Sequence, residues 1–108
     1  MNITFDFKLK QELQENLMDM SYEKFMSIKK SILSSNFWKL NNDNYLQFLS
    51  FNILNSVTYR PKSIQLFSQL VFDLINSDSQ IGENFRRFLL NFLTHSISQD
   101  IIYPYRYT

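Results

Sequence analysis

Tyr59-Arg60-Pro61-Lys62-Ser63 stands between two strongly apolar stretches, Tyr45 to Thr58 and Ile64 to Asn76. A residue before proline is pushed out of the α region, so a helix running through Tyr45 to Thr58 has to stop at Arg60. Proline at the first helical position loses no hydrogen bond, so a second helix can begin at about Pro61. Two apolar helices joined by so short a break fold back on one another. Arg60 falls at the end of the first, where a cation is favourable and can bond the last carbonyls; Lys62 falls near the start of the second, where it gains little.

Working outward, the same reading gives five helical segments. The first runs from about Phe7 to Met18, with Leu9, Leu13 and Leu17 on one stripe that Phe5 or Met20 extends. Ser21 is a suitable N-cap for the second, which carries Phe25, Ile28 and Ile32 on one face and ends at Ser34-Ser35-Asn36. Phe37 and Trp38 are expected to fold back over this pair. Asn41-Asn42-Asp43-Asn44 breaks the chain and caps the third segment, Tyr45 to Thr58, with Leu46, Leu49, Ile53 and Val57 aligned. The fourth runs from about Pro61 to Asn76, with Ile64, Phe67, Val71 and Leu74 aligned. Asn76-Ser77-Asp78-Ser79 breaks the chain again, and the fifth runs from about Glu83 to Ile97 with Phe85, Phe88, Leu89 and Phe92 facing inward. Alternation that suits a strand occurs only at Ile3 to Leu9, where an extended start is an alternative.

Composition narrows the function classes. The 108 residues suit one domain, 44% hydrophobic and 17% aromatic, which argues for a packed interior. There is no cysteine, so a disulfide framework, a thiolate metal site and a cysteine nucleophile are excluded. There is also no alanine, so the helices must meet through large side chains. A net charge of +1 supplies no long-range field for a nucleic acid or an acidic membrane. No apolar run approaches the ~20 residues of a membrane span, and Met1 to Lys10 lacks a secretory pattern; an intracellular, cytoplasmic location is the expectation.

Few residues carry chemistry. His95 is the lone histidine and lies among helix-terminus residues, and Glu12, Glu15, Asp19 and Glu23 read as a solvated face with lysines nearby. Gly82, the one glycine, cannot form a phosphate-binding loop. We therefore expect no catalytic residues, no metal and no cofactor. Arg86-Arg87 and Lys29-Lys30, set among aromatics, could contact phosphates, although stems packed along the core explain them as well.

The third to fifth segments are apolar on more than one side, which is more than two amphipathic helices can cover. Phe48, Phe51, Phe72 and Leu90 lie off the main stripes and are the candidates for an uncovered face that binds protein.

The run Tyr59-Arg60-Pro61-Lys62-Ser63-Ile64-Gln65-Leu66-Phe67, continuing to Leu70-Val71, resembles the helix break in the α-helical region that precedes ankyrin repeats in protist ankyrin-repeat proteins. The resemblance spans Tyr45 to Ile102, and the Thr-Pro-Leu-His signature of the repeats themselves is absent. It implies a protein-protein interaction role with no catalytic residues to carry over. Met20 to Phe25 and Asn84 to Asn91 resemble, more weakly, stretches of the HEAT-type middle domain of translation initiation factor scaffolds. That alternative implies RNA or translation factors as partners, with Arg86 and Arg87 in contact with nucleic acid.

The expectation is thus an all-α fold of about five antiparallel helices, as a solenoid-like stack of helical hairpins or a compact bundle. Residues 1–108 form a single helical domain and read as the N-terminal piece of a longer protein. Its partner is a protein, adjoining repeats or a second copy; nucleic acid is disfavoured and no membrane is involved.

Overall fold

A computed structural model describes residues 5–102, with side chains described from Phe5 to Thr94. The fold is all-α, and no strand occurs among the described residues. Asp6 is extended and its Oδ1 accepts the N–H of Leu9 at 3.1 Å, which starts α1 (Phe7–Met18). An extended start through Leu9 is therefore corrected: a carboxylate cap turns the chain helical at Phe7. Leu13 and Leu17 are buried, and both Phe5 and Met20 prolong that stripe into the core.

Ser21 caps a turn rather than the second helix itself. Its Oγ accepts the N–H of Lys24 at 3.2 Å, and α2 (Phe25–Ser34) begins only after that turn. Phe25, Ile28 and Ile32 are buried as the spacing required. Ser35 then caps a single helical turn, α3 (Asn36–Lys39), which buries Phe37 and Trp38. Asn41 takes a left-handed φ of 55°, which asparagine tolerates, and Asn42 caps α4 (Asp43–Tyr59) by accepting the N–H of Tyr45 at 2.9 Å.

The break at Arg60-Pro61 works as the sequence dictates, with two differences. Pro61–Ser63 forms a separate 3₁₀ turn, so α5 (Ile64–Ser77) starts three residues later than its proline. The guanidinium of Arg60 reaches across to donate to the carbonyl of Met18, the last residue of α1. It bonds a terminal carbonyl of another helix, not of its own, and so ties the ends of α1 and α4 together.

Asp78 Oδ1 accepts the N–H groups of Gln80 and Ile81 at 2.9 and 2.8 Å, so α6 (Ser79–Ile102) begins four residues before Glu83. The breaker between α5 and α6 is in effect one aspartate. α5 lies antiparallel to its neighbours, while α4 and α6 run side by side in the same direction. Asn84 near the start of α6 bonds Asn41 and Asp43 at 3.0 Å, and Phe92 further along meets Phe51 of α4 at 5.7 Å between ring centroids. On the other side of the molecule the Lys29–Asp73 ion pair, at 3.1 Å, joins α2 to α5.

The interior is continuous. Leu17, Leu46, Leu49, Phe67, Leu70, Leu74 and Phe85 are at most 1% exposed. On α5 the buried stripe is Phe67, Leu70 and Leu74; Ile64, which the spacing aligns with Phe67, is half-exposed.

Gly82 sits where α6 crosses α5. A Cβ there would stand 2.0 Å from the carbonyl oxygen of Ile75. Ala at a helical position gains about 1 kcal/mol over Gly, but the contact is backbone and cannot swing aside. Gly82→Ala should therefore lower stability by a net of about 1–3 kcal/mol, as for other overpacked sites. Urea unfolding followed by helical circular dichroism measures it; an unchanged or raised midpoint contradicts the close crossing.

Candidate functional site

Large apolar side chains remain in water after this core is complete, and two apolar depressions lie on the surface beside some of them. The first is a cleft of about 290 Å³ over the solvent side of α4. Phe48 and Phe51 lie one turn apart on α4, Phe5 and Lys10 come from the α1 side, and Phe92 comes from α6; Asn44 and Gln47 complete the lining. Phe48 is half-buried and meets Phe5 edge-on at 5.4 Å, whereas Phe51 is 51% exposed and leans its ring against Phe92. The Lys10 ammonium stands 5.8 Å from the Phe5 ring centre and 5.9 Å from that of Phe48, within cation–π range.

The second surface is a groove of about 260 Å³ between α5, α6 and α4. Leu54 and Val57 of α4, Ser68 and Val71 of α5 and Leu89 of α6 line it. Phe72 (64% exposed) follows Val71, and Leu90 (43% exposed) follows Leu89. Of the four residues singled out in the sequence, Phe48 and Phe51 line the cleft, whereas Phe72 and Leu90 are exposed and line neither surface.

Sequence reasoning missed Phe5, Lys10 and Phe92 as cleft residues. Phe92 reads as an inward residue of α6, and Lys10 as a charge off the α1 stripe. The spacing of Phe48 and Phe51 pointed to an aromatic strip on α4, but nothing local says which neighbours flank it.

The polar groups are mostly engaged in structure. Arg86 Nη1 lies 3.6 Å from Glu83 Oε1, one helical turn away, and Arg86 and Arg87 are both exposed on α6. Lys29 is held by Asp73 and lies 5.5 Å above the ring of Phe25, so it serves packing between α2 and α5. Asp19 pairs with Lys24, and Glu12, Glu15 and Glu23 are exposed. Among the described residues no three His, Asp or Glu side chains come together as a metal cage, and no helix is long and apolar enough to cross a membrane. His95 lies on α6, with its side chain outside the described ones; the tail from Tyr103 to Thr108 also lies outside them.

A third, smaller cavity of about 130 Å³ opens between α1 and α2. Tyr45 lines it, buried against Phe5 and stacked on Phe37 with ring centres 5.8 Å apart. Burial pushes the Tyr45 hydroxyl up to about 12, against which a hydrogen bond with Ser35 acts in the opposite sense. This environment suits a neutral phenol that fills the core better than a proton-transfer group working near neutral pH.

No protein-family model matches the chain, and no curated protein or solved structure is detectably similar to it.

The phenol supplies a test of the packing on which the cleft rests. A raised folded-state value means that the native state holds the Tyr45 proton more tightly than the unfolded chain does. Its contribution is complete below about pH 10, the unfolded value, and is lost as pH rises towards about 12. Denaturant unfolding at a series of pH values should show Tyr45→Phe losing less stability than the parent across that window, by roughly 2–3 kcal/mol at its upper end. Equal slopes for the two proteins would place the hydroxyl in water.

Proposed function

We propose that this domain is a non-catalytic protein-protein interaction module that presents apolar, aromatic helical surfaces to a protein partner. The observation that carries the reading is the exposure of Phe51 and Phe72 beside an interior already filled by Leu46, Leu49, Phe67, Leu70 and Leu74. An exposed phenylalanine adds nothing to the core and keeps an unfavourable contact with water, at ~25 cal/mol per Å² of apolar surface. Contiguous apolar patches rimmed by polar side chains commonly mark contact surfaces. Asn44, Gln47 and Lys10 give the cleft such a rim, and its aromatic lining matches the residue types enriched at the centre of interfaces. The likeness to the helical region ahead of ankyrin repeats points the same way, with adjoining repeats or a second copy as the kinds of partner that such a surface accepts.

The test is to separate association from folding. Since neither ring fills the core, Phe72→Ser should change unfolding free energy by less than about 1 kcal/mol, and Phe51→Ser by about 1–2 kcal/mol because its ring also touches Phe92. Both should reduce binding of an apolar dye and any concentration-dependent sedimentation. A loss of about 3 kcal/mol or more, the cost of emptying a packed phenylalanine site, with no change in dye binding or sedimentation, would assign the rings to the core and remove the reading.

A further inference from the structure

The cleft over α4 has a charge as well as a shape. Lys10 is a half-buried cation on an aromatic wall, and no carboxylate lies within 4.0 Å of it among the described residues. Among the described residues the lining contains no acidic side chain: Phe5, Phe48, Phe51 and Phe92 provide rings, Asn44 and Gln47 provide amides, and Lys10 provides the one charge. Asp43, next to Asn44, is not among the lining residues; its Oδ1 accepts a hydrogen bond from Asn84. An ammonium over phenyl rings has shed part of its water and is compensated only by the weak negative faces of those rings. A carboxylate placed beside it would gain from that lowered screening. At about 290 Å³ the space lies at the lower limit of small-molecule pockets, and is the right size for an anchoring side chain.

We infer that the cleft formed by Lys10, Phe48, Phe51 and Phe92 is a docking site for an acidic peptide segment of a partner protein, one that inserts an aromatic or branched aliphatic side chain and sets a carboxylate against Lys10. The inference rests on the proposed interaction role and adds the chemistry of the partner. Phe51 and Phe92, already in edge contact, form one wall for the anchor. Asn44 and Gln47, exposed in the lining, offer amides that can bond the peptide backbone. A basic segment is rejected, because its charge would meet Lys10 with no carboxylate in the cleft to offset it.

Fluorescence anisotropy on the full chain at low salt tests this with three labelled peptides. One alternates Glu with Phe and Leu, the second carries Lys for every Glu, and the third carries Ser for every Phe and Leu. The acidic apolar peptide should bind at least about tenfold more tightly than either of the others, the scale of one partly desolvated charge pair against the basic peptide and of one buried apolar anchor against the serine peptide. Lys10→Met, which keeps the aliphatic stem, should weaken it about tenfold, whereas Lys10→Arg should bind like the parent. Lys30→Met, on the exposed side of α2, should change nothing. Thermal melts of each variant show that the fold persists.

Equal binding of the acidic and basic peptides, lost in Phe51→Ser, would overturn the acidic preference while leaving the apolar interaction surface standing. Binding of the acidic peptide that ignores Lys10→Met would overturn the site. No binding of any peptide, with Phe51→Ser also silent in dye binding and sedimentation, would remove both proposals together.

Discussion

The structure depends on sheathing one helix. α4 carries seven buried residues, Tyr45, Leu46, Leu49, Ser50, Asn52, Ile53 and Ser56, which together occupy nearly half of its circumference. A helix buried over so wide an arc needs neighbours on several sides. Phe5 and α1 cover one flank, α3 brings Phe37 against Tyr45, and α6 covers the flank that carries Phe51. Two of its three buried polar side chains bond within the helix itself. Ser50 Oγ donates to the Leu46 carbonyl at 2.8 Å and Asn52 Nδ2 to that of Phe48 at 2.9 Å, so polar residues enter the interior without orphaned groups.

The exposed surfaces are a consequence of that demand. α1 and α2 are amphipathic and spend their apolar faces on the core. α5 and α6 must cover α4 and also cover each other, and the close crossing at Gly82 brings them together at one end only. Further along, the groove lined by Val57, Val71 and Leu89 lies between them and α4. A chain without alanine accentuates the effect, since large side chains at every contact hold axes apart wherever a glycine does not intervene.

Much of the helix content could be read directly, because α1 and α2 have clean apolar stripes and α4 lies between an asparagine-rich cap and a proline. The bounds of α1 agree with its spacing, and α4 stops at Arg60 because Pro61 permits nothing else. The start of α6 was less legible. Asp78 is one of four breaker-type residues in a row, and only geometry shows that its carboxylate caps α6. The face of α5 was ambiguous for a different reason. With Ile64, Leu66, Phe67, Leu70, Val71, Phe72, Leu74 and Ile75 in one segment, several stripes suit a helical period, and the choice between Ile64 and Leu70 rests with the neighbours. The cleft was half legible. Phe48 and Phe51 are local to α4, but Lys10 and Phe92 reach it through long-range packing that no spacing rule encodes.

Rigidity decides what such a surface can do. Ordering loops and side chains on binding consumes much of the gross interaction energy, so a face held in place beforehand binds more tightly for the same contacts. Here the cleft is built on helices whose ends are secured. Arg60 bonds the last carbonyl of α1, Asn84 bonds the loop and start of α4, and Asp6 caps the turn that carries Phe5 and Lys10. Phe51 and Phe92 brace one another from helices that run in parallel. Neither ring has to find its position when a partner arrives. The same arrangement explains why these rings tolerate water: moving Phe51 inward would mean rotating α4, which would expose Leu46 and Ile53 in its place.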